Sequence, residues 1–183
     1  KAVDPQPEAK TEAKKAIDNA LKAKTAEIDV RTDLTDEEKT AAKADAKIKA
    51  DAAKDAIDNA TTDAEVAQAQ STGTREVNNV NPEAVAKPKA KKSIDEALKA
   101  KNDEIESRTD LTDEEKTAAK AEAKAKADAA KEAIDKATTN AEVDQAKTNG
   151  TREVTSINPA AVEKTEAKKS IDEVLKAKTD EID

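Results

Sequence analysis

The stretch RTDLTDEEKTAAKA at 31–44 returns letter for letter at 108–121. Ile17, Ile94 and Ile171 follow one another at a step of 77 residues, and so do Leu21, Leu98 and Leu175. Gly73 and Gly150, and Pro82 and Pro159, keep the same step. A long period held without insertion identifies a tandem array of one supersecondary unit, whose core must be complete within a period or shared with its neighbours.

Such a unit has little apolar material to bury. The chain contains no Cys, His, Met, Phe, Tyr or Trp, so its 36% hydrophobic share is Ala with some Ile, Leu and Val. A charged share of 40% would suit a disordered chain, but the charges are finely mixed and the aliphatics are periodic, which indicates helix. The 33 basic residues nearly offset the 41 acidic ones, leaving −8. Without a basic patch or aromatic stacking residues, nucleic-acid binding is not expected. Neither a membrane-spanning apolar run nor a signal peptide is present. The start at Lys1, in mid-repeat, suggests a piece of a longer protein, and the lack of Cys fits an exported bacterial surface protein.

Three amphipathic segments fill each period. The first, at about 9–31, carries Ile17, Leu21, Lys24 and Ile28 on one stripe, repeated as Ile94, Leu98, Lys101 and Ile105. The Lys stem is expected to lie over apolar surface with its ammonium in water. The second segment opens on a capping box, Thr35 with Glu38, repeated as Thr112 with Glu115. Its buried stripe is Ala42, Ala46, Ala50, Ala53, Ile57 and Ala60, with Ala119, Ala123, Ala127, Ala130, Ile134 and Ala137 in the second copy. An alanine seam lets helices approach closely, and Ala has the best helix propensity.

A second capping box, Thr62 with Glu65 and Thr139 with Glu142, starts the third segment. Val66, Ala69, Gly73, Val77 and Val80 stay in phase across the poor helix former STGT at 71–74. This predicts one unbroken helix with Gly73, and likewise Gly150, at a close crossing. Asn81-Pro82 and Asn158-Pro159 read as N-cap and first helical residue of the next unit. Pro88, present only in the second copy, should kink or delay its helix.

The expected fold is therefore all-α, a row of tandem three-helix bundles forming an elongated rod. Residues 1–7 would be the tail of a preceding repeat, 8–81 repeat 1, 82–158 repeat 2, and 159–183 the first helix of a third. The first, second and third segments are expected to share a core, the rival phase grouping the second and third with the following first. The larger aliphatics expected in the second core are Ile94, Leu98, Ile105, Leu111, Ile134, Val143, Val154, Ile157 and Val162.

Candidate chemistry is sparse. Without His, Cys or Tyr, a nucleophile-and-base arrangement would have to use carboxylates, Ser, Thr and Lys, and two glycines cannot build a phosphate loop. The acidic run Asp33, Asp36, Glu37 and Glu38 lacks the ligand spacing of a calcium loop, and helix capping accounts for it. Asn149-Gly150-Thr151 has the form of a glycosylation acceptor, but Thr72-Gly73-Thr74 stands there in the first copy. No catalytic, cofactor or metal residue is expected, and no cofactor.

The blocks AKKAIDNALKAKTAEID, RTDLTDEEKTAAKA, ATTNAEVDQAKTNG and INPAAV together resemble a long repeat, DUF1542, known as a domain of unknown function. It occurs in many copies in wall-anchored surface proteins and adhesins of Gram-positive bacteria. The resemblance spans essentially the whole chain, departing at Thr74-Arg75 and Thr151-Arg152, where the family is more apolar. It implies a monomeric, extracellular stalk that projects an adhesive domain from the cell wall, with neighbouring repeats as partners and no active site. The alternative is a helical binding module for a host extracellular-matrix protein or for another cell's surface protein, as in aggregation or biofilm formation. Such interfaces favour aromatic and Arg anchors, and this chain offers only Arg31, Arg75, Arg108 and Arg152.

Overall fold

The computed structural model describes residues 7–182; most of the tail expected at 1–7 lies outside that range. Seven α-helices and no strand occur among the described residues: α1 Pro7–Asp29, α2 Asp36–Asn59, α3 Asp63–Asn78, α4 Ala86–Ser107, α5 Asp113–Lys136, α6 Asn140–Thr155 and α7 Glu163–Asp180. Their backbone pairing divides into two compact units, residues 7–87 with 138–140, and residues 88–137 with 141–182. The fold is all-α, a tandem helical-bundle repeat.

In the first unit α1, α2 and α3 pack against one another pairwise. Ala13, Ile17 and Ala20 of α1 meet Ala50, Ala53 and Ile57 of α2 and Val66 and Val77 of α3 in one core. A second cluster, Ile28, Leu34, Ala42, Ala46 and Val80, closes the other end, with Leu21 packed against both. The alanine seam is buried along its whole length, Ala46 and Ala50 completely. Ala contributes little transfer free energy per residue, but its small side chain allows interhelical contact close to the backbone.

Gly73 makes that contact possible. It sits inside an unbroken α3, where an added Cβ would stand 2.2 Å from the Ala53 Cβ and 3.0 Å from the Ile17 Cδ1. Three helices thus meet at one point with no room for a methyl group. Gly150 reproduces it in the second unit against Ala130 of α5 and Ile94 of α4, at the same 2.2 and 3.0 Å. Around it Ile94, Ala127, Ile134 and Val154 are wholly buried, and Ile105, Leu111, Ala119, Ala123 and Ile157 close the far end.

Ion pairs flank both seams. Lys54 pairs with Asp18, and Lys14 with Asp58, between α1 and α2; Lys131 with Asp95 and Lys91 with Asp135 repeat them between α4 and α5. These are part-exposed pairs that add specificity more than stability. Lys24 and Lys101 lie on the buried stripe, only 6% and 5% exposed, with each ammonium 2.7 Å from an exposed carboxylate, Glu27 or Glu104. The stem is buried as expected, but the ammonium meets a carboxylate rather than water alone.

Three expectations need correction. Asn81-Pro82 and Asn158-Pro159 do not start helices: α4 begins at Ala86 and α7 at Glu163. The link runs non-helically through 80–85 because Val80 and Ala84 pack into the core end and the Pro82 carbonyl is engaged elsewhere. Pro88 neither kinks nor delays α4, since it stands third in that helix, where the N–H has no intrahelical partner. Val162 is not a core residue but about half exposed, at the N-cap of α7.

Candidate functional site: a two-helix carboxylate clamp

The most built-up polar arrangement lies where the loop after the first helix meets the link that follows the third. It begins with a local capping box. The Thr35 side chain accepts from the Glu38 N–H, and Glu38 Oε2 accepts from the Thr35 N–H at 2.9 Å. That uses one carboxylate oxygen. The other, Oε1, accepts from the N–H groups of Val85 and Ala86, both at 2.9 Å, where α4 begins. One side chain therefore caps two helices, its charge at the positive end of each.

The second unit repeats the arrangement. Glu115 Oε2 accepts from the Thr112 N–H at 2.9 Å, while Oε1 accepts from Val162 at 2.8 Å and Glu163 at 3.2 Å at the start of α7. A guanidinium supports each clamp. Arg31 donates through Nε and Nη2 to the Asp33 carboxylate at 2.7 and 2.6 Å, and Nη2 also reaches the Pro82 carbonyl at 3.3 Å. Arg108 grips Asp110 at 2.7 and 2.6 Å and reaches the Pro159 carbonyl at 3.4 Å and Asn158 Oδ1 at 3.2 Å. A lysine completes the set: Lys87 Nζ donates to the Thr32 carbonyl at 2.8 Å, and Lys164 Nζ to those of Thr109 and Leu111 at 2.8 and 2.9 Å.

The charges respond to this geometry. At Glu38, burial works against ionisation, but hydrogen bonds from Thr35, Ala86 and Val85 outweigh it and hold the carboxyl below its usual range. Hydrogen bonds from Thr112 and then Glu163 lower Glu115 likewise. The bond from Arg108 brings Asp110 down to about 2, and Arg31 lowers Asp33 in the same sense. Both guanidiniums are raised in return.

The clamp orders backbone and presents no reactive group. The acidic run at 33–38 does not converge on a common point, since Asp33 faces Arg31 while Glu38 faces two helix starts. Among the described residues no three ligating side chains come together. Asn149 lies inside α6 beside the buried Gly150 and accepts from Arg152, so the acceptor-like triplet is helical. Sequence reasoning found the capping boxes but missed the second helix held by each glutamate. Its partners lie 47 and 48 residues away, and a local spacing rule cannot see them.

A shallow groove also recurs in both units. In the first it is lined by Ala56, Ala60, Glu65, Gln68 and Ala69, and in the second by Ala133, Ala137, Glu142, Gln145 and Ala146.

Comparison with known proteins places these observations in context. The family model described as Domain of Unknown Function (DUF1542) matches twice, at residues 9–85 and 86–162. The chain is 32% identical over 177 residues to the extracellular matrix-binding protein EbhA of Staphylococcus aureus strain Mu3, covering 97% of this chain and 3% of that protein. It is also 32% identical over 178 residues to the EbhA of strain Newman, covering 96% of this chain and 5% of that protein. The chain therefore spans only a few hundredths of the length of the relatives it matches. No solved structure matches.

Proposed function

Because the chain belongs to the DUF1542 family, we propose that it serves as a structural repeat, a spacer within a bacterial cell-surface adhesin. Its parent would be extracellular and anchored in the cell wall, with an adhesive region carried at a distance. On this reading 8–81 and 82–158 are the working units, 159–183 opens a third, and 1–7 closes an earlier one. The partners are neighbouring repeats of the same chain, and no catalytic or cofactor chemistry is assigned.

One observation carries this reading: the same clamp recurs at both links, with the same donor atoms and nearly the same distances. A spacer needs a joint that can be copied without new contacts, and Glu38 and Glu115 supply one. Small-angle scattering on chains of two, four and six periods tests it. The maximum dimension should grow by a constant increment per 77 residues, and a dimension that stops growing would overturn the proposal.

A second reading has its own support. The relatives are called matrix-binding proteins, and the alanine-lined groove recurs in both units. Under it the repeats themselves would grip a host matrix protein or another cell's surface protein. Immobilised matrix proteins probed with this chain separate the two. Saturable binding that Ala60→Arg and Ala137→Arg abolish together favours the module, and its absence favours the spacer.

A further inference from the structure

The last helix presents a face whose two counterparts are buried. In α7, Ile171, Val174 and Leu175 are 66%, 70% and 63% exposed, and no described residue of the helix is buried. One and two periods earlier, Ile94 and Ile17 have no exposed surface, while Leu98 and Leu21 pack against their cores. The residues are of one kind and occupy one helix face. What differs is the pair of helices laid over them, α2 and α3 for Ile17, α5 and α6 for Ile94.

The charges beside this face are also retained. In each unit a Lys and an Asp of the first helix pair with the second: Lys14 with Asp58 and Asp18 with Lys54, then Lys91 with Asp135 and Asp95 with Lys131. The same register on α7 holds Lys168 and Asp172. The start of α7 is already fixed, by Glu115 on Val162 and Glu163 and by Lys164 on the Thr109 and Leu111 carbonyls. The helix thus displays an apolar stripe bordered by one positive and one negative charge, in an order that two precedents match to the same partner.

We propose that the Ile171–Leu175 face of α7 is a docking surface for an alanine-seamed helical hairpin of the α5–α6 kind, joined in sequence behind α7. The hairpin would bring an alanine row against Ile171, a glycine at the crossing, and a Lys and an Asp to meet Asp172 and Lys168. A second copy of the chain is a poorer occupant. Its two hairpins already cover their own first helices, so it can offer only another α7 with three aliphatics. The proposal stands whether or not the repeats act as a spacer, because it concerns only what completes this helix.

The test extends the chain after Asp183 with a copy of residues 107–161, which continues the period without a break. Amide hydrogen exchange at Ile171 and Leu175 is then compared in the original and extended proteins. Protection should rise at least about tenfold on extension and approach that of Ile94. The rise should vanish when the copied segment carries Gly150→Val, which blocks the crossing. To guard against that segment not folding, Asp172→Lys provides a second variant. It should reduce the gain, and Lys131→Asp in the copied segment should restore it. Unchanged protection on extension, or a gain that survives Gly150→Val, would overturn the proposal. So would protection in the original chain that rises with its concentration, since a second copy would then hold the face.

Discussion

A single missing methyl group governs how closely each bundle closes. Replacing Gly150 with Ala in the middle of a helix gains up to about 1 kcal/mol of helix propensity. At this site the new Cβ would lie 2.2 Å from a Cβ on the facing helix, which no rotamer change can move. Overpacking of this kind costs about 1–3 kcal/mol, so Gly150→Ala should lower stability despite the propensity gain. Adding Ala130→Gly removes the opposing methyl and should recover part of the loss in thermal unfolding. The carboxylates give a second prediction at this scale. Asp110 is held at about 2 by Arg108, below the ordinary 3.8. A depressed pKa means its stabilisation is fully present above the unfolded value and is lost as pH falls through about 2. Carboxyl titration by NMR should place the Asp110 midpoint near 2, and Arg108→Gln should move it up towards 3.8.

Among the elements, the second helix of each unit was the most legible in the sequence. Every residue of its expected stripe, from Ala42 to Ala60 and from Ala119 to Ala137, is buried. Helical periodicity is a local property, and the packing had no reason to override it. Ala127, fully buried on that seam, provides the direct check. Ala127→Leu should destabilise by about 1–3 kcal/mol, seen as a lower Tm, and an equal or higher Tm would refute the close packing. The links were much less legible. Asn-Pro ahead of an amphipathic run is a sound local start signal, yet α4 and α7 begin four residues later, capped by glutamates from the preceding helix pair. Val162 was misassigned for the same reason, because its backbone N–H serves Glu115 while its side chain faces outward. Glu115→Gln should therefore speed amide exchange at Val162 and Glu163 and leave the Ile134 amide unchanged. Equal exchange at all three in mutant and parent would remove the clamp's role.

For the molecule as a whole, the grouping of helices decides which truncations are tolerated. Gly150 brings α4, α5 and α6 together, whereas α7 contributes no buried residue. Deleting 164–183 should leave the amides of Ile134, Val143 and Val154 as slow to exchange as in the parent, and fast exchange there would refute the grouping. The clamp has a further consequence, in the genetics of such chains. Each glutamate and the backbone it caps lie 47–48 residues apart, well inside the 77-residue period, and the glycine and alanine of each crossing are closer still. Unequal recombination between any two equivalent codons adds or removes a whole period. The product still carries one complete crossing and one complete clamp per period, whichever codon the exchange falls on. Gene length can therefore drift by whole repeats while every protein made along the way keeps joints of the same design.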